Sequence, residues 1–402
     1  MGKDLANLWR VARIGLKSAS AVKTILRMEY RRQVGIPYDR RFKTGTSMPP
    51  TNITIVPTYR CNLDCVMCRQ RHAAKTSSEE RPWYDPANEL PVEVWVRLLD
   101  QVAAFHPYIY VTGGEPLLYP HFRELVGQAK LRKLLVQIQT NGTLLSKMAD
   151  FLVEQGVQLV NMSLDGPPDI HDEIRRKKGA FSRLEEGTMA LQEARKRHKS
   201  AGPIISFNFT ISKGNIAHLE EAVETAIRLG ADFVQIQHTM FNSPELIGQH
   251  NEIFSPEYLD RKGLPMVLPS IPEGSYYRSE VTAEDIPVLV DALNRARSKA
   301  KGRITLHCMP RIPDELIGPY YLDLGYPFID RCNMFWKTMR IAPDGSVTPC
   351  LNMVVGNIRE QDFAEIWNGS PMQHVRRLFG ERLFPGCVRC CQRHFTQASL
   401  TF

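Results

Sequence analysis

Between residue 51 and about residue 240, short β-branched or aromatic runs alternate with longer stretches of helical periodicity. The strand-like runs fall at 52–57, 108–112, 134–139, 158–163, 204–210 and 233–237. Helical spacing fills 92–105, 121–131, 145–155, 181–198 and 217–229. Such alternation, with strands of the buried type, predicts a parallel sheet covered by helices. Six units suit an α/β fold, a partial (β/α)6 TIM-like barrel, with function at the C-terminal ends of the strands.

Chemistry-bearing residues gather at those ends. Cys61, Cys65 and Cys68 follow the first strand at C-x3-C-x2-C spacing, within eight residues. Three soft ligands this close suit iron–sulfur coordination better than a disulfide framework. A zinc knuckle would lack a nearby fourth ligand. A [4Fe–4S] cube held by three thiolates keeps one iron open to a small molecule. Thr112-Gly113-Gly114-Glu115-Pro116 follows the second strand, Gln139-Thr140-Asn141-Gly142 the third and Ser163-Leu164-Asp165-Gly166 the fourth. No signal peptide opens the chain, and no run approaches the ~20 apolar residues of a membrane span. Nine cysteines in such a chain point to metal or catalysis in a cytoplasmic protein.

These motifs resemble the radical S-adenosylmethionine (SAM) superfamily. The resemblance implies that Cys61, Cys65 and Cys68 hold a [4Fe–4S] cluster whose open iron is chelated by SAM. Reductive cleavage of SAM then gives a 5′-deoxyadenosyl radical that abstracts a substrate hydrogen, with a flavodoxin- or ferredoxin-type reductant. Gly113 and Gly114 would approach the methionine end of SAM, and Glu115 would anchor their turn. Thr140, Asn141, Ser163, Asp165 and Asn208 would belong to the same cofactor site. Arg175 would pair with the methionine carboxylate, a task that suits the guanidinium fork. Its neighbour Arg176 is the competing candidate. His238 ends the sixth strand, facing either the ligands or a structural partner.

Residues 301–402 differ in character, with short strands, an Asp344-Gly345 turn and six cysteines. Cys332-x12-Gly345-x4-Cys350, closed by Cys387-x2-Cys390, is similar to the SPASM/twitch extension of radical SAM enzymes. Two auxiliary clusters would need roughly seven or eight thiols. The six here support one auxiliary [4Fe–4S] cluster, through Cys332, Cys350, Cys387 and Cys390. Cys391 could replace Cys390, and Cys308 is either a spare buried thiol or a hydrogen donor beside the substrate. Zinc is the competing metal for a four-thiol site. The expected organisation is a basic amphipathic extension at 1–50, the barrel at 51–300 with 241–282 as a substrate loop, and a small α+β auxiliary domain at 301–402.

Residues 1–50 hold eleven of the 51 Lys/Arg and three of the 43 acids, so the whole net charge of +8 lies there. The neutral remainder argues against a nucleic-acid-binding protein built on a zinc site, which needs basic residues across its body. Residues 5–32 read as one helix with an apolar stripe of Leu8, Ala12, Leu16, Ala19, Val22, Leu26 and Tyr30. Arg10, Arg13, Lys17, Arg31 and Arg32 fall on the other side. Either the stripe packs on the body, or the helix, with Trp9 near its start, lies on the anionic inner membrane surface. Gly35, Pro37 and Pro49-Pro50 are expected to break the chain after it.

A fully ligated auxiliary cluster would move electrons. That favours oxidation of the substrate radical, or a redox-neutral epimerisation with hydrogen returned by a donor. The expected substrate order is a carbohydrate-type small molecule, then a peptide or protein side chain, then a lipid or lipid-linked molecule.

Overall fold

The computed structural model describes residues 19–68, 86–261, 279–328, 331–350 and 353–390. Eight strands form one sheet: β1 Asn52–Ile55, β2 Tyr108–Val111, β3 Leu135–Thr140, β4 Leu159–Ser163, β5 Ile204–Thr210, β6 Phe233–Gln237, β7 Thr305–Met309 and β8 Thr338–Ile341. Their order is β7-β6-β5-β4-β3-β2-β1-β8. Every pairing is parallel, for example Ile53 opposite Ile109 on one side and Met339 on the other. The six expected strands are present. β7 and β8, from the segment assigned to the auxiliary domain, extend the same sheet at its two edges.

Each strand alternates between two environments. Ile53, Ile55, Val111, Ile138, Val160, Phe207 and Ile236 are buried toward the helices. Asn52, Thr54, Gln137, Gln139, Asn161, Asn208, Gln235 and Gln237 turn inward around a cavity. The strands are thus apolar on their outer face and polar on the inner one. The polarity is tolerated because these groups bond one another. Asn161 Nδ2 donates to Gln139 Oε1 at 2.7 Å, Ser206 Oγ to Asn161 Oδ1 at 2.6 Å, and Gln235 Nε2 to Asn208 Oδ1 at 3.0 Å.

Ahead of the sheet, α1 (Ala19–Tyr30) runs through a π-helical turn at Arg31–Gly35 into α2 (Ile36–Arg41). The expected break at Gly35 and Pro37 does not occur. Pro37 lies in the first turn of α2, directly after the π-helical turn, and the helix continues through it. Gly35 leaves room for a buried guanidinium; a Cβ there would lie 2.6 Å from Arg31 Nη1. Arg31 bonds Asp39 Oδ2 at 2.8 Å, Ser47 Oγ at 3.0 Å and the Trp336 carbonyl at 2.9 Å. The described part of the stripe thus does not pack on the body, and one residue of the basic side is buried instead. Arg31, expected in solvent, is 2% exposed, whereas Val22, Leu26 and Tyr30 of the expected packing stripe are exposed. The reason is tertiary: Asp39 and the Trp336 carbonyl compensate a guanidinium that the helix alone could not bury. Residues 5–18 of the expected helix lie outside the described residues.

Within 241–282, expected to be irregular, helices form at Pro244–Ile253 and Pro256–Arg261. Ser243 caps the first through the Leu246 N–H at 3.2 Å. Residues 262–278 lie outside the described residues.

Candidate active site

The loop after β1 is fastened at both ends. Val66 N donates to the Ile174 carbonyl at 2.9 Å, and Cys68 N to the Cys65 carbonyl at 3.1 Å. Asn62 joins it to the end of β3, accepting from Asn141 Nδ2 at 2.9 Å and donating to Thr143 Oγ1 at 2.8 Å. The three thiols border a cavity of about 410 Å³. Gly113, Gly114, Thr140, Asn141, Ser163 and Arg175 line it with them.

The two glycines are required by the chain itself. A Cβ on Gly113 would lie 2.4 Å from the Thr58 carbonyl oxygen, and one on Gly114 would lie 2.3 Å from that of Arg60. Gly113 also has φ +153°. Gly114 N and Glu115 N donate to those two carbonyls at 3.0 and 2.8 Å, pinning the turn beneath the cysteine loop.

Glu115 is fully buried and accepts from Asn141 N at 2.7 Å, Thr140 Oγ1 at 2.8 Å and Leu117 N at 3.1 Å. Burial lifts its carboxyl to about 7 against the pull of those donors. It ties the ends of β2 and β3 together and does not line the cavity.

Arg175 points inward and Arg176 outward, the latter with φ +50° at the end of the Pro168–Arg175 helix. Asp165, buried behind Arg175, forms an ion pair with it. Asp165 thus lies outside the cavity lining, in contrast to the cofactor contact expected of it. Arg175 Nη1 stands 3.5 Å from Cys65 Sγ, and Asn141 Nδ2 stands 4.0 Å from Cys61 Sγ. Burial raises the Cys61 thiol to about 11 and also raises that of Cys65, the latter opposed by Arg175. Thiols so protonated release protons on binding metal.

These residues fit an iron–sulfur cluster. Three thiols border one cavity, with a guanidinium and an amide directed at the sulfurs. Among the described residues, no three His, Cys, Asp or Glu side chains gather round a point as one metal ion requires. In a cubane each thiolate takes a different iron, so its ligands stand further apart.

One expected residue belongs elsewhere, and His238 takes the structural of its two expected roles. Asn208 lies in the strand-lined cavity and not in the thiol cavity. His238 is buried; its Nδ1 meets Tyr321 Oη at 2.8 Å, and its ring packs against those of Tyr320 and Tyr321, a structural setting. Cys308, on β7, faces Arg297 of the outer helix Asp285–Ala300, so it is a buried thiol of the helix side and no hydrogen donor to the interior.

The strand-lined cavity, about 450 Å³, was not anticipated. Alternate Asn, Gln and Thr residues in the strand runs were its signal. Seven carboxamides, from Asn52, Gln137, Gln139, Asn161, Asn208, Gln235 and Gln237, line it together with Lys337 and Arg340. It shares Thr112 and Gln139 with the thiol cavity and reaches Cys350.

The C-terminal thiols come from separate segments. Cys332 is buried, its carbonyl accepting from Arg40 Nη1 at 2.9 Å. Cys350 follows five residues after Gly345, whose φ is +92°, and bridges to Met353. Cys387 and Cys390 share one turn, with Cys390 N to the Cys387 carbonyl at 3.3 Å. None of the four is in a disulfide. Cys391, the alternative ligand, lies outside the described residues.

The fold and thiol sites define a SAM-dependent radical enzyme with an auxiliary iron–sulfur domain. Residues 55–226 match the radical SAM superfamily, and residues 332–391 match the SPASM iron-sulfur cluster-binding domain. The chain thus carries a radical SAM domain and a SPASM domain, and the two imply SAM and [4Fe–4S] clusters as cofactors. It is 29% identical over 330 residues to an AdoMet-dependent heme synthase of Methanosarcina barkeri (strain Fusaro / DSM 804), covering 78% of this chain and 80% of that one. It is 23% identical over 359 residues to a PqqA peptide cyclase of Granulibacter bethesdensis, covering 87% and 81%. The crystal structure of Streptococcus suis SuiB shares the fold, with a TM-score of 0.58 at 16% identity over 87% of this chain and 74% of SuiB.

Proposed function

We propose that this radical SAM enzyme oxidises a carboxylate-bearing substrate held in the strand-lined cavity. The observation that carries the reading is the composition of that cavity. Its described lining has seven carboxamides and two cations, Lys337 and Arg340, with no carboxylate. Such a lining bonds an anionic, hydrogen-bonding molecule and disfavours an apolar one. The cavity adjoins the Cys61–Cys65–Cys68 site on one side and Cys350 on the other.

Bound SAM and its reduced [4Fe–4S] cluster, held by Cys61, Cys65 and Cys68, would supply the radical that abstracts hydrogen, and an auxiliary cluster on Cys332, Cys350, Cys387 and Cys390 would accept the remaining electron. Lys337 and Arg340 orient the substrate carboxylate. The carboxamide belt fixes its remaining polar groups, and α1 closes the far end of the cavity through Met28. Oxidation is favoured over epimerisation because Cys308 does not face the interior.

The relatives named for haem synthesis and peptide cyclisation lend no support to the carbohydrate-type or lipid-linked substrate. An acidic peptide side chain and a small carboxylic acid share the required chemistry. The test is anaerobic incubation of the reconstituted enzyme with SAM, reductant and deuterated acidic peptides or small acids, following deuterium into 5′-deoxyadenosine. Transfer from one of these sources, with KM raised roughly tenfold in Lys337→Met, is expected. Transfer from a neutral sugar, with Lys337→Met unchanged, would overturn the reading.

A further inference from the structure

The side of α1 and α2 turned away from the sheet is apolar. Val22, Leu26, Tyr30, Val34, Tyr38 and Phe42 recur every four residues, each between 42 and 65% exposed. Four-residue steps along an α-helix drift by about 40° each, which would wind such a stripe round the helix. The π turn at Arg31–Gly35, with its longer hydrogen-bonded loop, turns less per residue and rotates the stripe back. Large contiguous apolar patches on a folded surface mark interaction sites.

The packing needs of these helices are met by their other side. Thr24, Ile25, Arg31, Ile36 and Asp39 are buried on the body, and Arg27 Nη2 donates to the Pro49 carbonyl at 2.9 Å. Charge selects the occupant of the free side. Residues 19–43 carry seven Lys/Arg and two acids. Of the acids, Asp39 is buried against Arg31 and Glu29 is paired with Arg32. Lys23, Arg41 and Lys43 are exposed around the apolar stripe.

We propose that this stripe docks the protein onto an anionic lipid bilayer, with the two helices lying in the interface. A second copy seated on the same face would bring two basic surfaces together, a like-charge contact that opposes association. Anionic headgroups match the flanking cations instead. No described helix is long and apolar enough to cross a membrane, so the contact is one-sided. Docking also sets the orientation. Met28 packs with Tyr108, Leu135, Leu159 and Phe233, at the N-terminal ends of strands, whereas the thiol loop follows the C-terminal end of β1. The active site therefore opens away from the bilayer, toward substrates in the aqueous phase.

The test is flotation of the full-length holoenzyme with vesicles of phosphatidylcholine alone or mixed with phosphatidylglycerol. The wild type is expected to float with the anionic vesicles, to float less with the neutral ones, and to be partly released by high salt. Leu26→Ser/Tyr38→Ser/Phe42→Ser should partition roughly tenfold or more weakly. Its melting temperature should be unchanged, because the three side chains are exposed. Wild type remaining in solution with anionic vesicles would overturn the proposal. So would a variant that floats as well as wild type, or a wild-type dimer in solution that the variant dissociates without any vesicle binding.

Discussion

The two thiol sites are held by different means. Cys61, Cys65 and Cys68 lie on one short loop, and the groups aimed at their sulfurs, Asn141 and Arg175, come from elements fixed by the sheet. The four C-terminal thiols are spread from residue 332 to residue 390 and depend on how the tail docks. One anchor of that docking is Arg389, which is 2% exposed. It donates to the carbonyls of Tyr320 at 2.7 Å, Asp323 at 2.7 Å and Pro319 at 3.3 Å, and it lies 4.6 Å from the Phe328 ring centre. The first site is encoded locally, the second by tertiary structure. Losing metal should therefore leave the first loop in place and loosen the second region.

The largest expected effect separates the two sites by chemistry. Cys65→Ala should abolish formation of 5′-deoxyadenosine from SAM while retaining about half of the iron, read by iron quantitation after anaerobic reconstitution. Equal loss of iron from both sites would break the comparison. Next comes stability. Arg389→Leu strands several buried carbonyls and should cost about 3 kcal/mol or more, read by denaturant unfolding, with iron lost from the auxiliary site first. Arg31→Leu leaves Asp39 buried without its partner and should cost about 3–5 kcal/mol, with the iron ratio unchanged.

The lesser effects concern pH. Glu115 has a folded carboxyl near 7, above its unfolded value of 4.5. The folded state therefore holds the proton more tightly, and this contribution is complete below 4.5 and lost as pH rises to about 7. Thermal melts of the apoprotein should show that decline, and Glu115→Gln should flatten it even though the variant is less stable. Lys337 is lowered to about 8 by burial, with Arg32 adding to the effect. KM for an anionic substrate should therefore rise above about pH 8, and Lys337→Met should remove that limb.

How much of this was legible follows the same division. The cysteine spacing and the Gly-Gly-Glu turn are local patterns, and both line up at the C-terminal ends of strands whose positions were also readable. The inward turn of Arg175 was readable only through the resemblance. β8 was missed because Thr338–Ile341 is four residues long and pairs with β1, almost three hundred residues earlier in the chain. The burial of Arg31 was hidden because the partners that compensate it include a carbonyl from residue 336. The carboxamide cavity was written in the alternation of β3 and β6, Val-Gln-Ile-Gln in each, a pattern that marks one polar face without showing that the sheet curves it round a cavity.

The most direct measurement of the central claim uses Cys350→Ala, reconstituted anaerobically and given SAM, reductant and a substrate that wild type converts. The division of labour predicts that 5′-deoxyadenosine still forms, because Cys61, Cys65 and Cys68 are intact, while oxidised product falls to background. Full product formation by this variant, or loss of 5′-deoxyadenosine with the first cluster demonstrably assembled, would contradict it.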